Sequence, residues 1–419
     1  MMNDNQHIPS GYKPSPLGII PEDWEVKRLG EIFTFKNGVN AGKDSYGEGV
    51  RFVNTMDVLN NEYITGKILR GRVAINEKTK NEFLVSFGDV LFNRTSETRE
   101  EVGCSTVYLD NEDAVFGGFV IRAHDIDANI LKPRFKQYCF QPSYIRNQIS
   151  ALGNGAIRYN LGQEDLSKVN LLIPTKVEQE AIVSVISLWD TAIAKQTALI
   201  EQLTLRKRGL MQQLLTGKKR LKGFEGEWKK CAIKSFAKEV SIKNTYNKDY
   251  IVLSCTKYDG LVPSLEYFGK QIYSNDLSTY KVVPKNHFAY ATNHIEEGSI
   301  GYQAQYDNGL ISPMYTVFKT DKEKIDNTYF FAVLKSHHLI HLYQAMMEGS
   351  INRRGGLRWD SFSTIKVDLP SLEEQKAISA FLYNADKEIE IQKQKLAALQ
   401  EQKKGLTQVL LTGKKRINK

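Results

Sequence analysis

Four polar stretches carry side chains suited to reading the edges of nucleic-acid bases. They are Asn93, Arg94, Thr95 and Arg99 in FNRTSETR, Arg158, Tyr159 and Asn160 in AIRYNLG, Tyr290, Thr292, Asn293 and His294 in FAYATNH, and Asn352, Arg353, Arg354 and Arg358 in INRRGGLR. Arginine can fork onto the acceptors of guanine, and asparagine can pair with the edge of adenine in the major groove. Any one of these residues is equally well explained by a surface turn. The hypothesis rests on the set, which occurs in both halves of the chain.

Other chemistries lack their residues. An amino-methyltransferase needs an [ND]PP[YF] site and a glycine-rich cofactor loop, and neither is present. A phosphate loop needs GxxxxGK[ST], whereas Gly209 and Gly217 are eight positions apart and Lys219 follows Lys218. In HHLIH, His337 and His341 share a helical face, but His338 stands where a zinc peptidase needs glutamate. Glu296 and Glu297 read as a solvated loop. Cys104, Cys139, Cys231 and Cys255 are scattered without a CxxC pair, which argues against a zinc cluster or a disulfide framework. The expectation is no catalytic residue, no metal and no cofactor on this chain.

The elements that must position the polar stretches are announced by a repeat. Shifting the chain by 196 positions aligns PTKVEQEAIVSVISLWDTAIAKQ with PSLEEQKAISAFLYNADKEIEIQ, without a gap as far as the LLTGKKR phrases at 214–220 and 410–416. Each copy opens with a capping-box pattern, Thr175-x-x-Glu178 and Ser371-x-x-Glu374, and closes on a glycine, Gly217 and Gly413. The spacing predicts two helices of about 40 residues, each roughly 60 Å long. Their apolar residues step by four and three through Ile182, Ile186, Trp189, Ile193, Ile200, Leu203, Leu210 and Leu214, and through Ile378, Leu382, Ala385, Ile389, Leu396, Leu399, Leu406 and Leu410. That is a coiled-coil seam. Polar residues interrupt it at matching steps, Gln196 with Gln392 and Lys207 with Lys403, where they fix register at some cost in stability.

A weaker repeat precedes each unit, IPEDWEVKRLGEIFTF against FEGEWKKCAIKSFAKEV, and sets Trp24 against Trp228. The intervening stretches hold short strand-like runs bounded by Gly, Pro, Asn and Asp, which reads as mixed α/β. The chain thus reads as a segment 1–23, a variable α/β (α+β) domain at 24–170, a long helix at 171–217, a second variable domain at 218–366, and a second long helix at 367–419.

Composition agrees with a soluble, polyanion-binding chain of 419 residues with net charge +9. Residues 201–250 carry 13 Lys/Arg against 5 Asp/Glu, and residues 351–419 carry 14 against 8, so the excess sits around the LLTGKKR phrases. Cations near helix C-termini would also offset the macrodipole. No apolar run approaches the ~18–20 residues of a spanning helix. The first residues have no signal-peptide pattern, so a cytoplasmic location is expected.

The opening IPEDWEVKRLGEIF, the two P-x-x-x-EQ-x-AI starts at Pro174 and Pro370, the two LLTGKKR ends, and the GDVLFNRT and EEGSIG stretches resemble the specificity (S) subunits of type I restriction-modification systems over essentially the whole length. The resemblance implies that each domain reads one half of a split, asymmetric site in double-stranded DNA. It also implies that the two domains are target recognition domains in pseudo-twofold arrangement, separated by the two helices paired antiparallel as a coiled-coil spacer, with segment 1–23 near the C-terminal helix end. The helices would dock two methyltransferase (M) subunits, which a restriction motor-nuclease (R) subunit joins. S-adenosylmethionine, ATP and magnesium would then belong to those partners, leaving this chain non-catalytic. A coiled-coil scaffold whose lobes bind proteins, or a remnant of a fused modification enzyme, are the alternatives.

Overall fold

The computed structural model describes residues 8–155, 157–348 and 356–417. The chain divides into two compact units, one formed by Met1–Thr197 with Lys395–Lys419 and the other by Ala198–Gln394. Each is mixed α/β, and each contains half of both long helices, Lys176–Leu214 and Leu372–Leu410.

In the first unit a five-stranded sheet runs in the order Phe33–Asn37, Val120–Asp125, Val90–Asn93, Ser105–Tyr108, Tyr63–Ile64. Its pairings are antiparallel except the last. A three-stranded sheet of Ala114–Phe116, Tyr46–Val53 and Arg72–Val73 accompanies it. Alternation along the strands places Phe33, Phe92 and Ile121 in a core with Phe140, Ile145 and Ile149. In the second unit the corresponding sheet orders Ala237–Val240, Tyr315–Thr320, His287–Ala291 and Ile300–Tyr302 over a core of Phe288, Phe318, Phe330 and Phe362. The parallel pairing Ala114–Phe116 with Tyr46–Val53 recurs as Asn308–Ile311 with Ile251–Thr256.

Each recognition region is closed by pairing its first strand with its last. Glu25–Arg28 lies antiparallel to Asn170–Ile173, and Lys229–Ala232 antiparallel to Lys366–Leu369. The chain therefore leaves each region beside the point where it entered, directly into a long helix.

Within each unit the two helix halves run antiparallel. In the first, Asp190 meets Lys403 and Glu178 meets Arg416; in the second, Asp386 meets Lys207 and Glu374 meets Arg220. As one index rises its partner's falls, and every contact recurs 196 positions away. All the seam residues are buried or half-buried, whereas Leu188, Leu199 and Leu205 beside them are exposed. Gln196 is buried within the seam and Gln392 is half-buried. Among the described residues no helix is long and apolar enough to cross a membrane.

The repeated phrases at the helix ends work as clamps. Gly217 and Gly413 adopt φ +68° and +70°, and the amides of Lys219 and Lys415 donate back to the carbonyls of Gln213 and Val409. This left-handed cap turns the chain so that Arg220 and Arg416 reach the glutamates of the opposing EQ pairs. Arg416 donates through Nε and Nη2 to both oxygens of Glu178, at 2.7 and 2.8 Å. Trp24 Nε1 donates to the same carboxylate at 2.7 Å. A side chain at Gly413 would strike Pro21 at 2.5 Å, so glycine is required there for packing as well as for φ. One expectation changes as a result. The capping boxes are half formed: Thr175 and Ser371 accept from the amides of Glu178 and Glu374, but each glutamate side chain answers an arginine instead. A carboxylate buried this deeply is stabilised more by a guanidinium than by one backbone amide.

The glutamines of the EQ pairs join helix to domain. Gln179, fully buried, accepts from the Lys132 amide and donates to the carbonyls of Ile130 and Pro174. Gln375 does the same with the Asp326 amide and the carbonyls of Lys324 and Pro370. At the other end of the chain, the Tyr12 hydroxyl donates to the Gly413 carbonyl at 2.9 Å.

Candidate nucleic-acid interface

The first unit brings two of the distant polar stretches together. Strand Thr95–Ser96 pairs antiparallel with Tyr159–Asn160. The Thr95 hydroxyl donates to the Asn160 side-chain oxygen at 2.7 Å, and the Arg99 guanidinium lies over the Tyr159 ring at 5.1 Å. Arg158 is exposed, with Glu97 at 3.7 Å. Arg94 is half-buried: its Nη1 donates to the Gly118 carbonyl, its amide to Phe119, and its carbonyl accepts from the Leu161 amide. Arg146 supports the loop from behind by donating to the carbonyls of Glu100, Val102 and Gly103. The result is a firmly held polar ridge with Arg99, Arg158 and Asn160 on its exposed side.

In the second unit the same junction recurs with other side chains. The Leu357 amide donates to the Thr292 carbonyl at 2.7 Å, as Leu161 does to Arg94. Gly356, at φ +62°, lies so close that a Cβ would meet the Thr292 oxygen at 2.3 Å. Asn293, His294 and Arg358 are exposed, and Thr292 is half-buried. Asn352, Arg353 and Arg354 lie outside the described residues.

Two of the expected base readers do not reach the surface. Asn93 is fully buried, and its side-chain nitrogen donates to the Glu101 carbonyl, so it anchors the loop. Tyr290 is equally buried, packed on Phe362 at 4.7 Å, and burial pushes its hydroxyl well above the ordinary tyrosine range. Both stand on central strands covered on both faces, since every residue of Val90–Asn93 and of 288–291 is buried. The lysines at the polar seam positions have carboxylate partners: Asp386 for Lys207, and Glu62 and Asp190 for Lys403.

Among the described residues, His294, Glu296 and Glu297 offer ligand atoms within 4.8 Å of one another. His337 and His341 place their Nε2 atoms 3.1 Å apart on one helix.

The model of the type I restriction modification DNA specificity domain matches residues 21–205 and again 226–401. The chain belongs to that family. It is a type I restriction-modification specificity subunit with two target recognition domains, one in each half. Among curated relatives, the putative type I restriction enzyme MjaX specificity subunit of Methanocaldococcus jannaschii is 25% identical over 443 residues, covering 97% of each chain. The MjaVIII specificity subunit of the same organism is 23% identical over 434 residues, covering 95% of this chain and 94% of its own. A chain from a structural study of complex assembly and conformational transition in a type I R-M system covers 94% of this chain and 99% of its own, at TM-score 0.60 and 16% identity. The HsdS subunit from Thermoanaerobacter tengcongensis covers 94% and 96%, at TM-score 0.52 and 18% identity. The specificity-subunit fold thus extends over both halves, including the long helices.

Proposed function

We propose that each recognition domain of this specificity subunit reads one half of a split, asymmetric site in double-stranded DNA. The paired helices then present docking surface to two methyltransferase subunits, which a restriction motor-nuclease joins. One observation carries the reading: the same junction, the loop after a central strand bonded to the loop before the long helix, is built in both units with different exposed polar side chains. Equal frames with unequal readers suit a bipartite site whose halves differ. S-adenosylmethionine, ATP and magnesium belong to the partner subunits in this scheme, and this chain performs no chemistry. The complex works in the cytoplasm. The functional divisions are a segment 1–23, recognition domains 24–170 and 218–366, and spacer helices 171–217 and 367–419.

The test is to combine the chain with its methyltransferase subunit, S-adenosylmethionine and genomic DNA, and to sequence the methylated sites. One split sequence is expected, with no methylation by this chain alone. Exchange of residues 24–170 for the matching domain of another specificity subunit changes one half-site and leaves the other intact. A change in both halves overturns the modular reading.

A further inference from the structure

Each recognition domain presents one large apolar side chain to solvent at the same place in its frame, and neither fills a core. Phe119 is 62% exposed and Met314 is 63% exposed. Phe119 immediately precedes Val120, which pairs with Asn93; Met314 immediately precedes Tyr315, which pairs with Ala291. Both sit on a tight turn closed by an i to i+3 hydrogen bond, Val120 amide to Gly117 carbonyl and Tyr315 amide to Ser312 carbonyl. In each case the backbone carbonyl of the apolar residue is held by the first residue of the polar loop. Phe119 accepts from the Arg94 amide at 2.8 Å, and Met314 accepts from the Thr292 hydroxyl at 3.3 Å.

The first of these turns is braced from behind. The Gly117 and Gly118 amides donate to the carbonyls of Val53 and Val39. A Cβ at Gly117 would meet the Phe52 ring at 2.7 Å, and one at Gly118 would meet Asn40 at 1.9 Å. A backbone this closely packed fixes where Phe119 projects, yet the ring itself stays out of the core. Exposed Phe and Met normally lose stabilisation that burial would supply. Here the exposure occurs twice, at equivalent positions, on turns bonded to the first residues of the two polar loops, whose exposed side chains include Arg99 in one domain and Asn293 and His294 in the other.

We propose that Phe119 and Met314 are the apolar base-contact points of the two domains, each laid against base edges in the groove of its own half-site. Apolar side chains contact the thymine methyl group, and Phe and Met are also residues that enter between base steps. Arginines and amides alone cannot make that contact. The inference rests on the DNA-reading function proposed above and adds a specific pair of residues to it.

The experiment uses the full chain assembled with its methyltransferase subunits. Phe119→Ala and Met314→Ala are compared with the unaltered complex for binding and methylation of DNA carrying single substitutions in either half-site. Each variant is expected to lose discrimination, by roughly tenfold at one or two base pairs, in one half-site only, and the two variants in opposite halves. The salt dependence of binding stays unchanged, because an apolar contact releases no counterions. Circular dichroism and melting of each variant should match the parent, since both side chains are exposed. Unchanged discrimination in both variants, a uniform loss on all sequences, or loss in the same half from both overturns the proposal. A parent complex that directs methylation to no split site overturns the functional reading itself, a result distinguishable because it appears before any substitution.

Discussion

Arg416 holds the carboxylate of Glu178 in a two-pronged pair across 238 positions of sequence, and Arg220 holds Glu374 in the same geometry across 154. Glu178 is only 8% exposed, so removal of its partner leaves a carboxylate largely cut off from water. Arg416→Ala is expected to destabilise the first unit by about 2 kcal/mol, below the ~3–5 kcal/mol of fully buried pairs because the arginine is partly solvated. Arg416→Lys recovers only part, since lysine cannot fork. Chemical denaturation followed by intrinsic fluorescence measures both, and equal stability of all three chains would refute the clamp.

Gln179 completes its hydrogen bonds only with backbone groups that belong to the recognition domain and to the helix entrance. Gln179→Leu leaves the Lys132 amide and the Ile130 and Pro174 carbonyls without it. The expected cost is at least ~2 kcal/mol, at ~1–3 kcal/mol for each buried group left unsatisfied. Hydrogen exchange should report the loss at the Lys132 amide first. Retained protection there would contradict the assignment.

Lys403 lies between Asp190 and Glu62 with its side chain 14% exposed. Burial alone would lower its pKa, but hydrogen bonds to the two carboxylates outweigh it and hold the ammonium above the ordinary lysine value of 10.5. A folded pKa above the unfolded one gives stability that is fully present below 10.5 and is lost as pH rises through the folded value. Lys403→Met is therefore expected to melt lower than the parent by a constant margin up to about pH 10, narrowing above it. A margin that widens with alkali would reverse the sign of this argument.

The offset of 196 makes the end of the first helix a template for the end of the second. Lys207, Gln212, Gly217 and Arg220 stand where Lys403, Gln408, Gly413 and Arg416 stand. In the first unit those later residues meet Asp190, the Ser143 amide, Trp24 and Glu178. A chain of residues 1–222 is expected to form homodimers, each copy lending its 198–220 segment to the other. Light scattering should give twice the chain mass, and Lys207→Glu, which sets like charges against Asp190, should shift the mass to monomer. A monomeric parent fragment would count against interchangeable halves.

Much of the framework was legible because it is periodic or repeated. Ile182 to Leu214 and Ile378 to Leu410 could be placed on a seam by counting, and Gly217 and Gly413 marked the ends. The partners of those residues were not legible, because Glu178 finds Arg416 only after two distant segments fold onto each other. The polar loops were recognisable as types, yet Asn93 and Tyr290 lie on central strands buried on both faces, and where such a strand ends and its loop begins depends on the layers packed over it. Phe119 and Met314 gave no signal at all. Each is a single apolar residue on a turn, indistinguishable in sequence from one that packs.

The two units differ in how the chain supplies them, and this sets the order in which they can be made. The second, Ala198–Gln394, is one uninterrupted stretch, whereas the first needs Lys395–Lys419 to complete it. During synthesis the ribosome releases the second unit whole while the first still lacks its closing helix half, with Ile182 and Ile186 waiting for Leu410 and Leu411. A nonsense codon near position 395 would therefore spare the recognition domain nearest to it and cripple the one translated first.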